Sequence, residues 1–209
     1  MSWRIAAFAG GLAALWIAVA SPVSHLDHHL LTAHMVQHLL LMLVAAPLIL
    51  FGLRPSLRGH WRPNLVVSWL AGSLTVVIWH IPAVFELALR SPFWHAFEQA
   101  SFLVAGIVFW LPAVQPGLKA QSWSLPVYLF LATLPCDALS AFLAFCGHVV
   151  YPPYSSGHGL FGLSPLDDQA LAGALMWVMV TFAYLVPALI LIARLLSGER
   201  RHKAQILAS

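Results

Sequence analysis

The chain has 209 residues, of which 61% are hydrophobic and only 8% are Asp, Glu, Lys or Arg, against roughly 25% charged in a soluble globular domain. With a mean hydropathy of +0.85, there is more apolar side chain than one core of this size can hide, which excludes a soluble fold. Ten Lys and Arg against seven Asp and Glu are too sparse for a basic nucleic-acid-binding face, and two cysteines exclude a disulfide framework or a four-cysteine zinc site.

Crossing the hydrocarbon takes about 20 residues, and six apolar segments are predicted to do so: 4–20, 31–53, 65–81, 96–114, 125–145 and 170–196. The expectation is an all-α integral membrane protein, a bundle of about six transmembrane helices in one polytopic domain over residues 1–209. No internal repeat is visible. The first segment follows Arg4 and ends in Ala18-Val19-Ala20, which also resembles a signal-peptide cleavage site. We expect it to remain as a span, and its cleavage would leave the rest of the topology unchanged. Residues 21–30 carry His25, Asp27, His28 and His29, whereas residues 54–64 carry Arg54, Arg58 and Arg62. The longest connection, residues 148–169, holds Pro152, Pro153 and Pro165 and is predicted as an irregular loop folded over the bundle. Asp167 and Asp168, just before the last span, are expected to cap that helix.

All Lys and Arg except Arg90 fall on one side of these spans: Arg4, Arg54, Arg58, Arg62, Lys119, Arg194, Arg200, Arg201 and Lys203. The positive-inside rule then puts both termini in the cytoplasm. Trp3, Trp61, Trp79, Trp94, Trp110 and Trp123 lie near span ends, as an aromatic belt requires.

Eleven histidines outnumber the acidic residues, and lipid gives them no generic use. On this orientation His25, His28, His29, His34, His38, His80, His95, His148 and His158 gather on the outer side, leaving His60 and His202 inside. His34, His38 and Met42 form an i, i+4, i+8 stripe on one helix face, and two imidazoles one turn apart can hold one metal ion. The zinc-protease motif shares that spacing but follows its first His with a Glu base; here Met35 occupies that position, so a metalloprotease is excluded. His80, the pair His95 and Glu98, and Cys146 with His148 end neighbouring spans at comparable depth. Met176 and Met179, soft donors too, lie in the last span, where ordinary packing is the better explanation. Imidazole, thioether and thiolate together suit copper, Cu(I) in particular, better than Mg²⁺ or Ca²⁺.

Cys136-Asp137 is a second anomaly inside a span. A charge near the midplane costs about 2.5–3.5 kcal/mol by insertion scales, so Asp137 is expected to face the bundle interior, either in a structural hydrogen bond or on an ion or proton path. Cys136 and Cys146, ten residues apart on one segment, would sit about 15 Å apart on a helix, beyond bridging distance.

The segment H-M-V-Q-H-L-L-L-M-L-V-A-A-P-L-I-L-F-G at 34–52 resembles the signature of the CtaG-like assembly factors of caa3-type cytochrome c oxidase. The likeness continues in order through W-H-I-P-A-V-F-E-L-A-L at 79–89, F-W-H-A-F-E-Q-A-S-F-L-V-A-G at 93–106, Y-P-P-Y at 151–154 and L-S-P-L-D-D-Q-A-L-A-G-A-L-M-W at 163–177. The resemblance implies a non-enzymatic inner-membrane protein needed to form active cytochrome c oxidase, at copper delivery or insertion. Its partners would be oxidase subunits or other assembly factors and a copper donor. Position by position, the family's histidine motif falls on His34 and His38, its W-H-x-P motif on His80, its H-x-x-E-like segment on His95 and Glu98, and its acidic-Gln motif on Asp168 and Gln169. Cys136, Asp137 and Cys146 depart from the more apolar family pattern and suggest thiol ligands particular to a subgroup. The expected metal residues are therefore His34, His38, His80, His95 and Met42, with Cys146, Cys136 and Asp137 as further candidates. Two alternatives stay open. One is a b-type haem protein with His38 and either His80 or His95 as axial ligands; the other is a small metal or proton transporter using Asp137.

Overall fold

A computed structural model describes residues 2–53, 64–114, 123–155 and 160–208. Arg54, Arg58, Arg62 and Lys119, on which the expected orientation leans, lie outside those residues, as do His60, Trp61 and His158. The described residues form helices and connecting turns, with no strand among them.

Helix α1, Ser2–Ala20, runs beside the second span. That span is a continuous helical rod over Leu31–Leu53 but is not uniform: α2, Leu31–Leu39, passes through a π turn, Leu40–Ala45, into α3, Ala46–Leu53. Pro47 explains the widening. Its ring would clash with the carbonyl four residues back and it donates no N–H, and a π turn just ahead relieves the conflict. The N–H of Ala46 accordingly reaches the Leu41 carbonyl, five residues back. Gly52 lets α3 approach α1 closely, since a Cβ there would stand 2.6 Å from Phe8 Cβ.

Helix α4, Leu65–Trp79, starts at Asn64, whose side chain accepts from the Val66 and Val67 amides. At about 22 Å it is too short to cross the roughly 30 Å hydrocarbon alone. It breaks at His80 because Pro82 forces Ile81 into the extended region, and α5, Pro82–Arg90, leaves at 78° to α4. The expected third span is thus a bent pair, its second arm anchored by the buried Phe85 and Ala88.

Helices α6, Pro92–Val114, and α7, Ser124–Phe145, match the expected fourth and fifth spans to within a turn. Helix α8 begins at Pro165 and runs 44 residues to Ala208, longer at both ends than expected, so the loop before it is shorter. Five helices are long and apolar enough to cross a membrane, or six with the bent pair. Large apolar side chains such as Trp16, Phe130 and Phe182 face outward, as lipid contact requires. Helix α7 packs along α8, α4 along α6, and α2 against α8. Gly106 on α6 permits a close crossing with the second span, because a Cβ there would meet Met42 Cα at 3.0 Å and Ala46 Cβ at 2.9 Å. Trp110, one turn further, donates to the Met42 carbonyl at 3.0 Å.

Candidate metal centre

The start of α2, the elbow after α4, the start of α6, the end of α7 and the start of α8 meet at one end of the bundle. Asp168 fixes α2 there, accepting from Leu31 N at 2.6 Å and Thr32 N at 3.1 Å. It was expected to cap its own helix and instead caps α2, while Ser164 Oγ accepts from Asp167 N and starts α8. The reason is spatial: α2 presents unpaired N–H groups to the carboxylate as the two helices pack.

With α2 so held, His34 and His38 point the same way, and both are buried. Between them, from α6, comes Glu98, with no exposed surface. Its Oε1 lies 3.3 Å from His34 Nε2 and 3.4 Å from His38 Nε2. A second group adjoins: His95 Nε2 is 3.1 Å from Asp27 Oδ2 and His28 Nε2 is 3.7 Å from Asp27 Oδ1. The His34 and His95 rings are stacked, 5.8 Å between centroids. Two sets therefore share His34, namely His34–His38–Glu98 and Asp27–His34–His95, each with ligand atoms within 4.8 Å of one another.

The loop after α7 covers this cluster, as expected. Buried Tyr151 donates its hydroxyl to the His80 carbonyl at 3.0 Å, and buried Tyr154 donates to the Asp27 carbonyl. Burial, reinforced by the carboxylates of Glu98 and, for Tyr154, Asp27, raises both phenols well above their ordinary range, so they act as fixed donors. Gln169 ties the loop down, accepting from Val150 N and donating to the His148 carbonyl.

Chemically the cluster has too many acceptors. Six of the nine buried side-chain atoms without a hydrogen-bond partner among the described residues belong to it: both Asp27 oxygens, His34 Nδ1, both His38 nitrogens and Glu98 Oε2. Buried polar atoms are normally paired, and an enclosed carboxylate costs several kcal/mol unless a cation or proton attends it. A bound metal ion would satisfy this set. Imidazole with carboxylate suits borderline divalent ions.

The expected ligands are brought together in part. His34, His38 and His95 belong to the two sets. His80, Met42 and Cys136 line a small cavity of about 20 Å³ one turn deeper, where His38 also forms part of the wall. Cys146 lies apart, its Sγ 3.4 Å from His148 Nδ1 in the loop after α7. Asp137 is half-buried with Oδ1 enclosed and unpartnered, and belongs to neither set nor to the cavity. Asp27 and Met35 were not expected as ligands, and Met176, for which packing was the favoured explanation, lines the cavity. Asp27 is flagged in sequence only by its place in D-H-H at 27–29. Neither a curated protein nor a solved structure matches the chain. The family model for the cytochrome c oxidase caa3 assembly factor (Caa3_CtaG) matches residues 1–197, in keeping with the ordered motifs that converge on this cluster, and the chain belongs to that family.

Proposed function

We propose that this assembly factor serves cytochrome c oxidase by holding copper as cargo at the His34–His38–Glu98 cluster, with His95 and Asp27 as the adjoining set. The observation that carries the reading is the six buried ligand atoms without a hydrogen bond gathered there, of which His34 Nδ1, His38 Nδ1 and Glu98 Oε2 have no ion-pair contact either among the described residues. The cluster end faces the outside of the inner (plasma) membrane, because the basic residues fall on the other side of the spans. Copper arrives there from a donor and leaves to an oxidase subunit or a further assembly factor. Against a haem in the same place stands volume: a cavity of about 20 Å³ has room for roughly one water-sized occupant, not a porphyrin.

The test is metal analysis of purified protein together with oxidase copper content in cells. Glu98→Gln and His34→Ala should insert normally, bind copper about 10–100-fold more weakly and lower the copper content of the oxidase. Unchanged binding in both variants refutes the ligand assignment, and unchanged oxidase copper refutes the delivery role.

A further inference from the structure

Beneath the carboxylate cluster, the cavity of about 20 Å³ is lined by Met35, His38, Met42, His80, Cys136 and Met176, with apolar side chains completing the wall. Three methionines, a cysteine and two histidines thus line one small space, contributed by α2, the π turn, the α4–α5 elbow, α7 and α8. His80 Nδ1 lies 2.7 Å from the Val76 carbonyl. That oxygen only accepts, so Nδ1 carries the proton and Nε2 of the neutral ring presents a lone pair. The lone pair faces Met35 Sδ at 3.2 Å, another electron-pair donor. The two have no mutual reason to meet and form a natural bite for a soft cation. Of the two His38 nitrogens, both buried, Nε2 meets Glu98 Oε1 at 3.4 Å and Nδ1 has no partner among the described residues.

We propose that this cavity is a Cu(I)-selective site, with Met35 and His80 as its core pair and Met42, Met176 and Cys136 as further sulfur ligands, and that His38 connects it to the carboxylate cluster above. Size and chemistry agree. The space admits one atom-sized occupant; water would find few polar partners there, and Mg²⁺ or Ca²⁺ would need oxygen ligands and retained waters. Thioether and imidazole select Cu(I), which needs only two to four ligands and no water. The charge of a monovalent ion is balanced by one carboxylate, Glu98, whose Oε1 is 3.4 Å from His38 Nε2. Transfer from cluster to cavity exchanges ligands and moves no electron when the donor delivers copper as Cu(I), which the imidazoles of the cluster can hold although the carboxylate also admits divalent ions. From His34 to Met42 the stripe descends about 12 Å, which places the cavity within the membrane-spanning part of the bundle.

This site rests on the copper reading of the cluster, and the experiment separates the two. Purified full-length protein is titrated with Ag(I), a redox-inert stand-in for Cu(I), with Cu(I) against a chromophoric chelator, and with Zn(II) as a probe of the carboxylate cluster. X-ray absorption reports sulfur around the bound ion. Wild-type protein is expected to hold Ag(I) and Cu(I) with two or more sulfur neighbours. The volume-conserving triple variant Met35→Leu/Met42→Leu/Met176→Leu should fall to at most the sulfur of Cys136 and bind Cu(I) about tenfold or more weakly. Its Zn(II) binding, which also reports an intact fold, should not change. Glu98→Gln should lose Zn(II), whereas Ag(I), bound more weakly without the balancing carboxylate, should keep its sulfur neighbours. Absence of sulfur neighbours in wild type, or an unchanged sulfur signal in the triple variant, overturns the cavity site even if Glu98→Gln still impairs the oxidase. A sulfur site that behaves as expected, with normal oxidase copper in every variant, keeps the site and overturns the delivery role.

Discussion

Asp168→Ala is the most direct probe of how the cluster is held. The carboxylate makes two charge-assisted hydrogen bonds across 137 and 136 positions of sequence, to Leu31 N at 2.6 Å and Thr32 N at 3.1 Å. Such bonds contribute about 1.5–3 kcal/mol each. The Thr32 amide is only partly buried and can turn to solvent, so the low end applies and the loss is about 3 kcal/mol. For a chain of this size that corresponds to a fall in Tm of roughly 6–12 °C. Asp168→Asn keeps an acceptor but loses the charge, and since neutral bonds are about half as strong, it should lose about half as much. The first turn of α2 includes His34, so the same variants should weaken copper binding in the same order. Thermal unfolding of purified protein and copper titration measure the two effects side by side. If Asp168→Ala retains the wild-type Tm, the cross-helix cap is not what holds α2. If the Tm falls and copper binding does not, the cap holds the helix without positioning the ligands.

Three further outcomes follow from the same geometry. Gly106→Val would press a side chain against Met42 Cα and Ala46 Cβ, backbone-borne groups that cannot swing aside, and should cost about 1–3 kcal/mol and part of the copper affinity by pushing Glu98 off the histidines; wild-type thermal unfolding and affinity would show that α6 can shift freely. Tyr154→Phe removes the donor to the Asp27 carbonyl and should destabilise by about 1 kcal/mol, seen as a small fall in Tm with oxidase assembly largely kept, whereas an unchanged Tm would mean the loop is held without this bond. Reporter fusions at Gly157 and Gly59 should respond in opposite compartments, outside and cytoplasmic respectively; the same compartment for both would reverse the assignment of sides.

Much of this architecture is legible in the residues, for identifiable reasons. Span positions follow from the absence of charge, which lipid enforces strongly, so the expected segments 31–53 and 125–145 agree with the helices to within a residue. What composition could not supply is local backbone chemistry. Pro82 shortens the third span to α4 and bends it, and Pro47 puts a π turn into the second. Both signals were present as prolines, yet hydropathy alone treats Pro as a mild interruption. The His34/His38 pair was readable because helical periodicity is a short-range rule. Asp27, Met35 and the target of the Asp168 carboxylate were not, because each acquires its role from an element distant in sequence: Asp27 from His95 on α6, Met35 from His80 at the elbow, Asp168 from the amides of α2.

The ordered motifs also divide by physical task in a way their sequence does not reveal. H-M-V-Q-H supplies side chains to both the cluster and the cavity, since His34 and His38 face Glu98 while Met35 meets His80. W-H-I-P supplies an imidazole and the bend that aims it: without the break imposed by Pro82, the chain after Trp79 would continue along the helix axis instead of turning α5 across the bundle end. Y-P-P-Y supplies no ligand; its two phenols brace the carbonyls of His80 and Asp27 from above. D-D-Q supplies none either, since Asp168 pins the start of α2 and Gln169 pins the loop. A cluster that buries two carboxylates with several ligand atoms lacking hydrogen bonds is costly to hold together without a cation, and such bracing offsets that cost. The supports are therefore expected to matter most in the empty protein, and copper binding should raise the Tm of Asp168→Asn and Tyr154→Phe by more than it raises that of the wild type only if the ion binds the braced geometry and also restores it. An equal rise in all three would mean that the ion finds its ligands already in place, with the braces contributing stability alone.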